Sequence, residues 1–123
     1  MTLDDLKQYR RCYLATPYSL YDKGLNAAFK ESSRIAGLLA QRGINVFCPI
    51  ALAHPMSAFS GIDPKDHDFW MARDEPWMEV CEALVVARMQ GWQNSRGVGA
   101  EIDIFEKADK PVFFLNPVTM ELD

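Results

Sequence analysis

Two short apolar runs with a glycine turn and a helix-length segment between them limit this chain more than any other feature. The first run is Ala83-Leu84-Val85-Val86-Ala87, and the second is Pro111-Val112-Phe113-Phe114-Leu115. Between them lie the turn Gln90 to Gly99 and a segment with apolar residues at Val98, Ile102, Phe105 and Ala108. Helical spacing continues upstream, from Asp66 to Glu82. Helix, strand, glycine turn, helix, strand is the repeating unit of a parallel α/β sheet. Two carboxylates, Asp74 and Glu101, fall where this periodicity asks for apolar residues.

The rest of the chain extends the pattern. Met1 to Arg10 reads as a short polar lead-in. Cys12-Tyr13-Leu14-Ala15 reads as a first strand stopped at Thr16-Pro17, and the Pro-, Tyr- and Ser-rich stretch to Lys23 as the loop after it. In open α/β sheets, ligands bind outside the carboxyl ends of the strands, so this loop is expected to line a site. Leu25 to Arg42 carries a helical stripe of Ala28, Ile35, Leu38 and Leu39, with Gly43 at the C-cap position. Ile44 to Cys48 reads as a second strand, reached by a right-handed crossover. Ile50 to Lys65 reads as a long irregular loop, rich in Pro, Ser and Gly and containing His54. The whole chain is expected to form one domain, residues 1–123, with an α/β, flavodoxin-like or Rossmann-like parallel sheet of about four to five strands and helices on both faces.

Composition removes several classes of function. The net charge is −4 with no basic run, which argues against a nucleic-acid partner. No apolar run reaches the roughly 18–20 residues that span a bilayer, and Met1 to Arg11 lacks the apolar core of a signal peptide, so a cytoplasmic location is expected and no membrane partner. Cys12, Cys48 and Cys81 match no metal-ligand spacing and read as buried free thiols. No metal and no cofactor is expected.

Glu101 lies three residues after Val98 and four before Phe105, bordering the apolar stripe of its helix. A capping box would require Ser or Thr at position 98, and Val98 stands there. Gly97 and Gly99 allow close backbone approach by a ligand. A carboxylate beside such a turn suits a nucleophile or general base. Asp74 has two readings. In a helix continuous through Pro76 it shares a stripe with Trp70, Arg73, Trp77, Met78 and Cys81, and the Arg73–Asp74 pair would need mutual satisfaction or a ligand. In a helix beginning at Glu75 or Pro76 it is simply the cap. Ser95-Arg96-Gly97-Val98-Gly99 leads into a helix N-terminus, where backbone N–H groups, Ser95 and Arg96 suit a single phosphate. The third glycine of a dinucleotide fingerprint is replaced by Ile102, and no Walker A sequence follows. Tyr13 sits at the carboxyl end of the first strand. Tyr18, Trp77 and His54 are further candidates for contact with a ligand.

Taken together, Tyr13-Leu14-Ala15, Asp74 with Trp77, the run Ala83 to Ala87 and Ser95-Arg96-Gly97-Val98-Gly99-Ala100-Glu101 resemble the nucleoside 2-deoxyribosyltransferase superfamily. That superfamily includes the deoxynucleoside 5′-monophosphate N-glycosidases. The stretch Phe69-Trp70 to Glu101 is similar in particular to the DUF1937 group. The resemblance implies a Glu101 nucleophile, an Asp74 that acts as acid or contacts the base, and a Tyr13 that orients Glu101. It also implies a 5′-phosphate held by Ser95, Gly97 and Gly99, and a homo-oligomer acting on a small nucleotide or nucleoside. The chain departs from the transferases in the segment Arg88 to Asn94, which carries no carboxylate. Two other readings stand beside this one: a non-catalytic nucleotide-binding module, and a flavin-binding electron carrier in which a carboxylate on the apolar face has no purpose.

Overall fold

The runs Cys12–Ala15 and Ala83–Ala87 are buried at every residue, as central strands covered on both faces must be. They are β1 and β3 of the computed structural model, which describes residues 1–123. With β2 (Val46–Phe47) and β4 (Val112–Leu115) they form one parallel sheet in the order β2-β1-β3-β4. Register pairs Tyr13 with Phe47 on one side and Leu84 on the other, and Val86 with Phe114. The connections are α1 (Leu25–Gln41), α2 (Pro49–Ser60), α3 (His67–Val80) and α4 (Arg96–Lys107), with short 3-10 helices at Leu3–Gln8 and Trp92–Asn94.

Alternation along the strands builds two cores. Cys12, Leu14, Val85 and Ala87 pack on one face with Leu6, Ile35 and Leu39. Tyr13, Ala15, Leu84 and Val86 pack on the other with Met78, Val98 and Phe105. Successive side chains point to opposite faces of a strand, so an unbroken apolar run serves both cores at once. The lead-in contributes to the first core through Leu3 and Leu6, and the three cysteines are buried and free. Burial pushes the Cys12 and Cys48 thiols up to about 11, well away from nucleophilic thiolate at neutral pH.

Two local expectations are corrected. Residues 50–65 are not one irregular loop: α2 occupies Pro49–Ser60, begun by proline in its first turn and ended by Gly61 in the left-handed region at φ 81°. Proline is tolerated where the first N–H groups lack intrahelical partners, and a left-handed residue closes a helix most cheaply as glycine. The second strand is also shorter than Ile44–Cys48, although the Asn45 carbonyl accepts from the Cys12 N–H at 2.8 Å and so continues the pairing. At the far end, Leu115 bridges Leu122 in antiparallel fashion and Arg88 pairs with Asp123, which folds residues 116–123 back against β4.

Candidate active site

The chain leaves β1 toward β2 on one side and later enters β3 on the other. The crevice above β1 and β3 is therefore the topological switch point, where open α/β sheets bind ligands. A cleft of about 370 Å³ lies there. Its walls come from the loop after β1 (Thr16, Tyr18), from α2 (Ile50, Ser57), from α3 (Trp70, Asp74) and from the start of α4 (Ser95, Arg96, Gly97, Glu101).

Asp74 reaches this cleft because α3 runs unbroken through Pro76. The cap of α3 is Asp66, whose Oδ1 accepts from the Phe69 N–H at 3.2 Å, so the reading of Asp74 as a cap is set aside. A proline inside a helix removes one hydrogen bond and crowds the preceding turn. Asp74 sits two residues earlier and keeps its helical direction. Arg73 does not pair with it: its guanidinium lies 5.2 Å from the centre of the Phe69 ring, at the exposed side of the helix.

Glu101 is buried, 5 % exposed, on the inward face of α4 with Val98 and Phe105. Neither Glu101 nor Asp74 belongs to any of the ion pairs of the fold. An unpaired buried carboxylate is costly, so the neutral form is favoured. Burial pushes Glu101 up to about 8, partly offset by the Tyr13 hydroxyl and reinforced by Asp74. Asp74 rises to about 6 by burial, again offset by Tyr13. The two form an interacting pair, and at pH 7 the pair holds on the order of one proton. Tyr13 lies fully buried between the rings of Phe47 and Phe105. Its buried hydroxyl favours the ionised form of both carboxyls without making a closed hydrogen bond to either.

The start of α4 presents donors of the kind that suit an anion. Ser95 is the N-cap, and its Oγ accepts from the Val98 N–H at 3.2 Å, leaving the hydroxyl proton for a ligand. The Gly99 N–H is bonded to the Ser95 carbonyl at 3.0 Å and is closed to a ligand. Gly99 itself is exposed and does not line the cleft. The free N–H groups at this end are those of Arg96 and Gly97, in the first turn of the helix. The Arg96 side chain is exposed and 3.5 Å from Asp68. Lys65 adds a second cation to the cleft wall.

The structure thus brings together Tyr13, Asp74, Glu101, Ser95, Arg96, Gly97 and Tyr18. It separates Trp77, which is half exposed and stacks on Phe47 at 5.0 Å. His54 also stands behind the wall: its Nδ1 shares a 2.6 Å hydrogen bond with the Tyr18 hydroxyl, and its ring stacks on Phe29 at 4.5 Å. Its role is to pin α2 to α1 and to the loop after β1. Ser57, Lys65 and His67 line the cleft without having been picked out from sequence, while Thr16 belongs to the loop expected there and Trp70 to the stripe of Asp74. No group of three or more His, Cys, Asp and Glu side chains is placed to hold a metal ion.

The family profile described as a domain of unknown function, DUF1937, matches residues 10–116. The chain belongs to that family. The matched span contains the whole sheet and every residue of the cleft, so the carboxyl pair and the anion site lie inside the DUF1937 domain. No curated protein sequence matches the chain. No helix is long and apolar enough to cross a membrane.

Proposed function

We propose that this DUF1937 domain cleaves the N-glycosidic bond of a nucleoside 5′-monophosphate. The observation that supports this most is the meeting in one cleft of two unneutralised carboxyls, Asp74 from α3 and Glu101 from α4, the latter one turn of helix beyond Gly97. Glycosidic cleavage uses two carboxyl groups, one as nucleophile or charge stabiliser and one as proton donor. A substrate phosphate on Ser95 Oγ–H and the Arg96 and Gly97 N–H groups brings the sugar over Glu101, which belongs to the next turn of the same helix.

A Glu101 carboxylate oxygen bonds to C1′ while the C1′–N bond breaks, and the departing base nitrogen takes the proton of the Asp74 carboxylic acid. Water then attacks C1′, its proton passes to Asp74, and the sugar phosphate leaves Glu101. The pair needs one proton throughout the first step, and it holds about one at neutral pH. In the free protein the deeper burial of Glu101 favours its neutral form over that of Asp74. The reactive form is the other tautomer of the same pair, and Tyr13, facing both groups, favours the ionised state of whichever has released its proton.

The order of proton affinities in the free protein supports a second assignment, with Glu101 as acid and Asp74 as the attacking carboxylate. Incubation with a 2′-deoxy-2′-fluoro-arabinonucleoside 5′-monophosphate separates the two. A slow-hydrolysing sugar phosphate adduct on the peptide bearing Glu101 is expected. An adduct on Asp74 reverses the roles. Nucleotide binding with neither adduct nor base release defines instead a non-catalytic nucleotide-binding module.

A further inference from the structure

One buried hydroxyl in the cleft has no partner. Ser57 is 7 % exposed, lines the cleft from α2, and its Oγ makes no hydrogen bond. A helical serine ordinarily satisfies itself on the carbonyl four residues back, and buried polar groups in native proteins are nearly always bonded. The neighbouring buried hydroxyls each have a partner already. Thr16 Oγ1 shares a 2.8 Å hydrogen bond with Ser32 Oγ, and the Tyr18 hydroxyl is tied to His54. The surroundings of Ser57 on the same wall are apolar: Pro49, Ile50 and Ala53. An apolar slot with one unspent hydroxyl suits the edge of a planar heterocycle.

Topology says which part of a nucleotide arrives there. The anion site follows β3, whereas α2 follows β2, and the sheet order is β2-β1-β3. The two sites are thus separated by two strand spacings, roughly 10 Å. A nucleotide with its phosphate on α4 lies across β1, its sugar over the carboxyl pair, and its base directed toward α2.

Building on the glycosidase reading, we propose that Ser57 selects the base, by hydrogen bonding to an exocyclic carbonyl or amino group on the base edge remote from the sugar. The His54–Tyr18 bond and the His54–Phe29 stack hold α2 in place for this contact.

The test compares wild type with Ser57→Ala. The substrates are the 5′-monophosphates of deoxyadenosine, deoxyguanosine, deoxycytidine and thymidine, together with purine deoxyriboside 5′-monophosphate, whose base has no exocyclic group. The readout is kcat/KM for base release, or Kd by calorimetry where the protein binds without turnover. A net hydrogen bond contributes roughly threefold to tenfold in such a constant. The expected result is a loss of about that size for the preferred base, no change for the purine analogue, and a thermal midpoint equal to or above that of wild type. A uniform loss across all five nucleotides, or an unchanged base preference, overturns the assignment of Ser57 while leaving the glycosidase reading intact. Ser57→Thr, which keeps the hydroxyl, is expected to retain the preference, and its loss in that variant also counts against the assignment. If wild type neither binds nor cleaves any of the five or their ribonucleotide counterparts, the glycosidase reading fails, and the role of Ser57 with it.

Discussion

Replacing Glu101 by glutamine is expected to abolish catalysis and yet to stabilise the fold, increasingly so as the pH rises. The carboxyl is displaced from 4.5 to about 8 by burial without a cation. Between these values the folded protein holds a proton that the unfolded chain has released, so stability falls with rising pH over this window. At about 1.4 kcal/mol for each tenfold change in proton affinity, the penalty is about 3 kcal/mol at pH 7 and about 5 kcal/mol above pH 8. Glutamine keeps the shape and carries no charge at any pH. The assay is urea unfolding of wild type and Glu101→Gln at pH 4.5, 7 and 9. Equal stability is expected at pH 4.5, where both forms are neutral, with a gap of a few kcal/mol opening toward pH 9. A gap independent of pH, or a variant less stable at pH 9, would refute the claim that Glu101 is buried without a compensating charge. An exposed first-turn glutamate predicts the reverse, a loss of about 0.3–1 kcal/mol from the helix dipole.

Four further outcomes follow from the same geometry. Base release by wild type should show a bell-shaped pH dependence of kcat/KM, with its maximum between about pH 6 and about 8, the values that Asp74 and Glu101 reach in the free protein. In Tyr13→Phe both limbs should move to higher pH, because the hydroxyl lowers both carboxyls. Asp74→Asn is expected to lower kcat by roughly 10²–10⁴, the usual contribution of a positioned acid, and the loss should be smaller for a nucleotide with a better leaving base. Ser95→Ala should weaken binding of a nucleoside monophosphate but not of the free nucleoside, while costing about 1 kcal/mol of stability as a lost N-cap.

The sheet was legible because its strands are continuous apolar runs, and such runs have few other places to go in a chain of this size. Cys12–Ala15, Ala83–Ala87 and Val112–Leu115 occur with the boundaries read from sequence. The four-strand parallel order and helices on both faces also agree with the α/β expectation. α2 was missed because it has no charged face to alternate with: its residues are mostly apolar, with His54, Ser57 and Ser60 the polar ones and Pro55 in the middle. Two signals stood at its ends, Pro49 and Gly61, and both read equally well as loop residues. Asp74 could not be placed while the path of the backbone at Pro76 was open, since a cap and a cleft carboxyl differ only in that path. Arg73 shares the register of Asp74 but turns outward onto Phe69, because a long side chain at the edge of a stripe can leave it. Ser57 carried no sequence signal of any kind. A serine between Met56 and Ala58 becomes informative only when its burial and its missing partner are known.

The central claim is that Glu101 and Asp74 together break a glycosidic bond. It is tested most directly by chromatographic detection of free base from a panel of nucleoside and deoxynucleoside 5′-monophosphates, with wild type, Glu101→Gln and Asp74→Asn in parallel. Release by wild type from at least one nucleotide, with none from Glu101→Gln and a large reduction in Asp74→Asn, is the predicted result. Equal release by wild type and Glu101→Gln, or no release by wild type from any member of the panel, contradicts it.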